Sequence, residues 1–145
     1  MEIYTIGFTG KTAAEFFGAL RQAGIARLID VRLNNASQLA GFTKRADLAF
    51  FLRELCNADY IHQPLLAPSK ELLTAFRKKQ ISWEEYEPRF RALLAERKAE
   101  DAIDRGIFSV PAVLLCSEPT PEHCHRRLVA EYLREKWGDV DIVHL

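Results

Sequence analysis

Residues 110–116 read VPAVLLC, and residues 117–133 continue SEPTPEHCHRRLVAEYL. The first run is short, unbroken and apolar, which suits a strand of a parallel sheet covered on both faces. Behind it, Thr120 and Pro121 stand in the order of a helix cap and a first helical residue. Gly138 ends the helix they predict, and VDIVHL, 140–145, reads as one more strand. The same alternation runs back to the N-terminus. EIYTI predicts a strand. Thr12 then opens a helix, with Glu15 three residues later to close a capping box and Gly24 to end it. Phe16, Phe17 and Leu20 give that helix an apolar face. RLIDVR, 27–32, predicts a second strand, residues 44–56 a helix, and DYIHQP a short third strand stopped by Pro64. Helices are predicted over 69–78 and 82–104, the second with Ser82 and Glu85 at the box positions. Strand–helix alternation of this kind predicts an α/β three-layer sandwich, Rossmann-like, around a mostly parallel sheet of about five strands.

At 145 residues the chain is expected to form a single α/β domain, 1–145, and 48% apolar residues supply a sizeable core. Twenty basic and twenty acidic residues balance to zero formal charge, so nothing globally basic advertises nucleic acid. VPAVLLC is far shorter than the roughly 20 apolar residues of a membrane span, and the first residues do not read as a secretion signal. Cys56, Cys116 and Cys124 are an odd number, which fits reduced thiols and a cytoplasmic setting better than a disulfide framework.

GFTGKT, 7–12, invites comparison with a phosphate-binding loop, which needs Gly, four spacers, then Gly-Lys-Ser/Thr. Counting back from Gly10, the first glycine belongs where Thr5 stands. Gly7 leaves only Phe8 and Thr9 as spacers. The stretch is therefore expected to be a tight turn before a capped helix, with Lys11 solvated in the first turn.

The denser signal lies at the end of the VPAVLLC strand. Cys116 closes it, Glu118 follows in the loop, and Cys124, His125 and Arg126 sit early in the next helix, Cys124 at about its fourth position. Ligands of open parallel sheets bind beyond the carboxyl ends of the strands. At about 100° per residue, His125 falls near the centre of the apolar stripe formed by Leu128, Val129, Tyr132, Leu133 and Trp137. Cys124 and Arg126 fall on its edges, and His123 and Arg127 point outward. A Cys-x5-Arg phosphatase loop fails from either cysteine, because Glu122 and Ala130 stand where arginine is required. Zinc could use Cys116, Cys124 and His125 or His123, yet no Cys-x2-Cys pair is present and no fourth ligand is defined. No metal ligand and no cofactor is assigned on the sequence. Cys124 is a candidate nucleophile through its helix start, and both thiols could equally pack as small apolar groups. A second cluster, Asp30 and Arg32, ends another strand. Buried Asp30 needs a cation, which Arg32 or Arg126 could supply. Ser37 and the Asn-rich loop would line the rim, and His62 ends a third strand.

Taken together, TIGFT (5–9), LIDVR (28–32), Ser37, Gly41-Phe42, LLCSE (114–118) and CHR (124–126) resemble the bacterial and archaeal family called domain of unknown function 488. The likeness spans nearly the whole chain. It departs at Phe8 and Thr9, where histidine and serine are common. The resemblance strengthens the site and assigns Gly7 to the T-I-G turn.

The expected function is a small cytoplasmic enzyme, a hydrolase or transferase, acting on an anionic, nucleotide-like small molecule. Asp30, Glu118, His125 and Cys124 are its candidate catalytic residues. Gly7, Arg32, Ser37, Cys116 and Arg126 are the candidate ligand-binding ones. A non-enzymatic ligand- or zinc-binding module is the alternative. So is a nucleic-acid accessory protein using Lys78–Lys79 and the 89–105 helix. A small anion is the expected partner and a homodimer is allowed, whereas membrane and nucleic acid are not expected partners.

Overall fold

The computed structural model describes residues 1–34 and 41–145. Five strands, β1 (Glu2–Gly7), β2 (Arg27–Asp30), β3 (Asp59–His62), β4 (Ala112–Cys116) and β5 (Asp141–His144), form one all-parallel sheet in the order β3-β2-β4-β1-β5. The helices are α1 (Ala13–Gln22), α2 (Arg45–Phe51), α3 (Lys70–Arg77), α4 (Trp83–Arg97), α5 (Ala99–Ala102) and α6 (His125–Trp137). The expected Rossmann-like α/β sandwich is therefore what the chain forms.

VPAVLLC supplies the central strand. Every residue of β4 is buried because β1 and β2 flank it and helices cover both faces. Its side chains alternate between two cores. Ala112, Leu114 and Cys116 pack with Ile3, Ile29, Phe90, Leu128 and Leu133 on the α4–α6 side. Val113 and Leu115 pack with Ile6, Phe16, Phe17, Leu20 and Leu28 on the α1–α2 side. That alternation turns Cys116 toward α4 and α6. No helix among the described residues is long and apolar enough to cross a membrane.

The Gly-Lys-Thr stretch is a turn and a cap, as expected. Thr12 Oγ1 accepts the Glu15 amide at 3.1 Å and Glu15 Oε1 accepts the Thr12 amide at 2.9 Å. The amide of Thr9 donates to Ser117 O and that of Lys11 to Phe8 O, so amides that would cradle a phosphate are used within the fold.

Three helices differ from expectation. The last one starts at His125 with Cys124 as its N-cap, not at Thr120–Pro121. Thr120 is engaged with the Glu122 side chain, and the Cys124 amide closes a turn onto Pro121 O. The 44–56 helix widens into a π turn over Leu52–Cys56, which left-handed Asn57 (φ 50°) terminates. The 82–104 helix breaks at Lys98 (φ 51°), after which Ala99 is buried in the short α5.

Candidate functional site

The chain leaves β1 through α1 on one face of the sheet and leaves β4 through α6 on the other. Neighbouring strands whose connections diverge in this way open a crevice at their carboxyl ends. The residues that bear chemistry gather there.

Cys116 is the last residue of β4, Cys124 the N-cap of α6 and His125 its first helical residue. All three are buried, and their donor atoms lie within 4.8 Å of one another. His125 Nε2 is 2.7 Å from the Val31 carbonyl. A carbonyl only accepts, so Nε2 carries the proton, and Cys116 Sγ lies beside the ring, 3.2 Å from Nδ1 and 3.7 Å from Nε2. The two thiols are pushed apart. Burial acts on both and would raise both. For Cys116 it is outweighed by a hydrogen bond from Cys124, the amides of Ser117 and Glu118, and the Arg126 charge, which together hold it below the ordinary thiol value. For Cys124 burial and the Cys116 sulfur add, and its thiol lies well above that value.

Arg126 has no exposed surface and no carboxylate partner among the described residues. Its Nη1 donates to Glu118 O at 2.7 Å and its Nε to Thr5 Oγ1 at 3.3 Å, while Nη2 is buried with no hydrogen-bond partner among the described residues. Thr5 Oγ1 is also hydrogen-bonded with His144 Nδ1 at 2.5 Å. Gly7 makes this packing possible. A Cβ there would sit 1.6 Å from Glu118 O and 2.9 Å from Arg126 Nη1. Lys11, expected to be solvated, is partly covered, and burial followed by the Arg126 charge lowers its pKa.

Asp30 and Arg32 meet as a buried ion pair. Of the two arginines considered as partners for Asp30, the structure brings Arg32. Its Nε and Nη2 donate to the two carboxylate oxygens, each at 2.9 Å, and its own amide donates at 3.1 Å. The Tyr60 hydroxyl adds a fourth bond at 2.6 Å. Arg32 Nη2 also reaches Thr43 O, and the Phe8 ring lies 5.3 Å from its guanidinium. His62 donates Nε2–H to Arg32 O at 2.9 Å.

A pocket of about 70 Å³ lies over this floor. Arg32, Leu33 and Asn34 follow β2 on one side; Cys116, Ser117 and Glu118 follow β4. His123, Cys124 and His125 enter α6, and Leu73, Phe76, Arg77, Trp83 and Tyr86 of α3 and α4 complete the wall. Trp83 stacks against Tyr86 and His123 with ring centres 5.2 and 5.1 Å apart. The pocket thus gathers Arg32, Cys116, Glu118, Cys124 and His125 from the expected set. Gly7, Asp30 and Arg126 stand behind it, and Ser37 lies outside the described residues. The α3–α4 wall was not read from the sequence. Its trace was there in Trp83, Tyr86 and Phe90, which recur at helical spacing on one face.

The family model described as Domain of unknown function DUF488 matches residues 12–133. Neither the curated proteins nor the solved structures contain a match to the chain.

Proposed function

We propose, from the premise that the chain belongs to the DUF488 family, that it is a small enzyme, a hydrolase or transferase, acting on an anionic, nucleotide-like molecule held in this pocket. The observation that carries the reading is the convergence of a Cys/His cluster, an aromatic wall and two arginines, buried Arg32 and exposed Arg77, on one concave site. Pockets that combine apolar walls with a few converging polar groups and shifted ionisations are where chemistry concentrates.

Each part has a role that follows from its surroundings. Trp83, Tyr86 and Phe76 offer flat apolar surface to a planar ring. Arg32 and Arg77 face the anionic group. Asp30 sets the direction of Arg32, since all of its hydrogen bonds point inward to the clamp. Glu118 is exposed at the rim and is the carboxyl group placed for proton transfer. Cys116, Cys124 and His125 form the reactive centre at the floor, and Arg126 is the cation beneath it.

Alkylation of Cys116, followed by mass spectrometry in the presence of adenosine, adenosine monophosphate or inorganic phosphate, tests this. The monophosphate is expected to protect most. Trp83→Ala should remove the increment due to the nucleoside, and Arg77→Ala the increment due to the phosphate. Equal alkylation under all conditions would overturn the reading.

A further inference from the structure

We infer that Cys116, Cys124 and His125 form a three-ligand site for a thiophilic divalent metal of the zinc class, with the fourth position open to the pocket. The inference rests on the reading of that pocket as the functional site and names the cofactor of its floor. The sequence offered no paired Cys-x2-Cys and so no metal assignment. The fold supplies what the spacing lacked, because the end of a strand delivers one ligand and the start of a helix delivers two.

The three donors are close enough to close on one ion with small side-chain movements. Zinc–sulfur bonds of about 2.3 Å and zinc–nitrogen bonds of about 2.0 Å place tetrahedral ligands roughly 3.5–3.8 Å apart. Here the three donor atoms already lie within 4.8 Å of one another, and Cys116 Sγ lies 3.2 Å from His125 Nδ1. The imidazole is also set as a metal-bound histidine is set. Its Nε2–H donates to the Val31 carbonyl, which fixes the tautomer and leaves Nδ1 without a proton. Cys116 Sγ, 3.2 Å from Nδ1 and 3.7 Å from Nε2, lies beside the ring, so ligation by both groups needs a turn of the imidazole. A disulfide would account for two of these donors; a metal accounts for all three.

Three protein ligands with an open position are the pattern of a working zinc ion, whereas structural sites are closed by four. Ser117, Glu118 and His123 line the pocket beside the opening. Two thiolates neutralise a dication. Arg126, buried without a carboxylate, leaves the centre with a net positive charge facing the anion-binding wall. When bound, the ion would act as a Lewis acid toward an oxygen of the ligand.

Cobalt titration of reduced, metal-stripped protein tests the site. One equivalent is expected to bind, with tetrahedral ligand-field bands and a sulfur-to-cobalt charge-transfer band, and one equivalent of zinc should erase both. Cys124→Ser should cut the charge-transfer intensity by about half, as one of two thiolate ligands is lost. Cys56→Ser should change nothing. Should the buried variants fail to fold, thiol counting on the wild type decides: zinc is expected to protect two of the three free cysteines until a chelator is added. Substoichiometric cobalt on folded protein, or zinc that leaves all thiol rates unchanged, overturns the metal site. A parallel titration with adenosine monophosphate separates the two readings. Metal without nucleotide leaves the ion and removes the anion pocket. Nucleotide without metal leaves the pocket and returns its floor to a thiol–imidazole pair.

Discussion

The carboxyl ends of β2 and β4 are neighbours in the sheet, and each is associated with a buried arginine. At the β2 end, Arg32 meets Asp30 in a two-point ion pair, and Tyr60 and a backbone amide complete the carboxylate's bonds. At the β4 end, Arg126 has two neutral acceptors, one buried nitrogen without a partner, and thiols nearby. A carboxylate with its bonds made has nothing left to offer a ligand and serves to hold its arginine in place. An unsaturated cluster keeps an uncompensated charge next to ionisable sulfur, an arrangement that folding alone does not favour. The contrast separates positioning from chemistry more clearly than residue type does, since an arginine and an acidic group are present at both ends.

Removing a partner from the saturated end should have the largest effect. Asp30→Ala strands the Arg32 charge in the interior and is expected to cost about 3–5 kcal/mol in chemical denaturation. Arg126→Met breaks the symmetry of the comparison. Relief of an unpaired buried cation offsets two lost hydrogen bonds worth about 1 kcal/mol each, so stability should stay within about 1 kcal/mol of the parent while Cys116 alkylation at neutral pH slows. Equal destabilisation by the two changes would erase the distinction. In metal-free protein, the pH profile of alkylation should place the Cys116 midpoint on the acid side of an ordinary thiol. Cys124 and Cys56 should lie on the alkaline side, because burial raises both. Trp83→Ala should weaken nucleotide binding by about 1 kcal/mol, roughly fivefold, and leave the fold intact.

The smallest effect concerns His144, whose pKa is lowered by burial and then by Arg126. A lowered histidine binds fewer protons folded than unfolded. The stability it contributes is therefore present above the ordinary histidine value of about 6.5 and falls away as the pH drops below it. Its NMR titration should lie below that value and move up in Arg126→Met.

The strands were legible because each is a short run bounded by turn residues, and VPAVLLC announced a strand covered on both faces, though not its central place in the order. The capping boxes at Thr12 and Ser82 were legible because both partners lie within one turn. The start of α6 was not. Thr120 and Pro121 are a good local signal, but Thr120 is engaged by Glu122, and the helix begins where Cys124 and His125 can reach β4 and Val31. The cysteines, histidine and arginines of the site could be singled out by type. Which arginine neutralises Asp30 could not, because it depends on the strand geometry that folds Arg32 back onto its own neighbour. The aromatic wall escaped because α3 and α4 come from a stretch that carries no cysteine or histidine and meets the pocket only in three dimensions.

The insertion of β4 between β1 and β2 has a consequence for synthesis on the ribosome. Among the described residues β1 pairs with β4 and β5, so it has no neighbour until residues 112–116 emerge, and its second neighbour follows later still. β2 and β3 can meet early, but they lack the strand that joins them to β1. Pairings of such long sequence separation are slow to close and leave apolar strand edges uncovered meanwhile. The nascent chain should therefore rely on chaperones or on the ribosome surface until β4 is out. Because Cys116 enters with β4, the Cys/His cluster cannot assemble before the central strand of the sheet is in place.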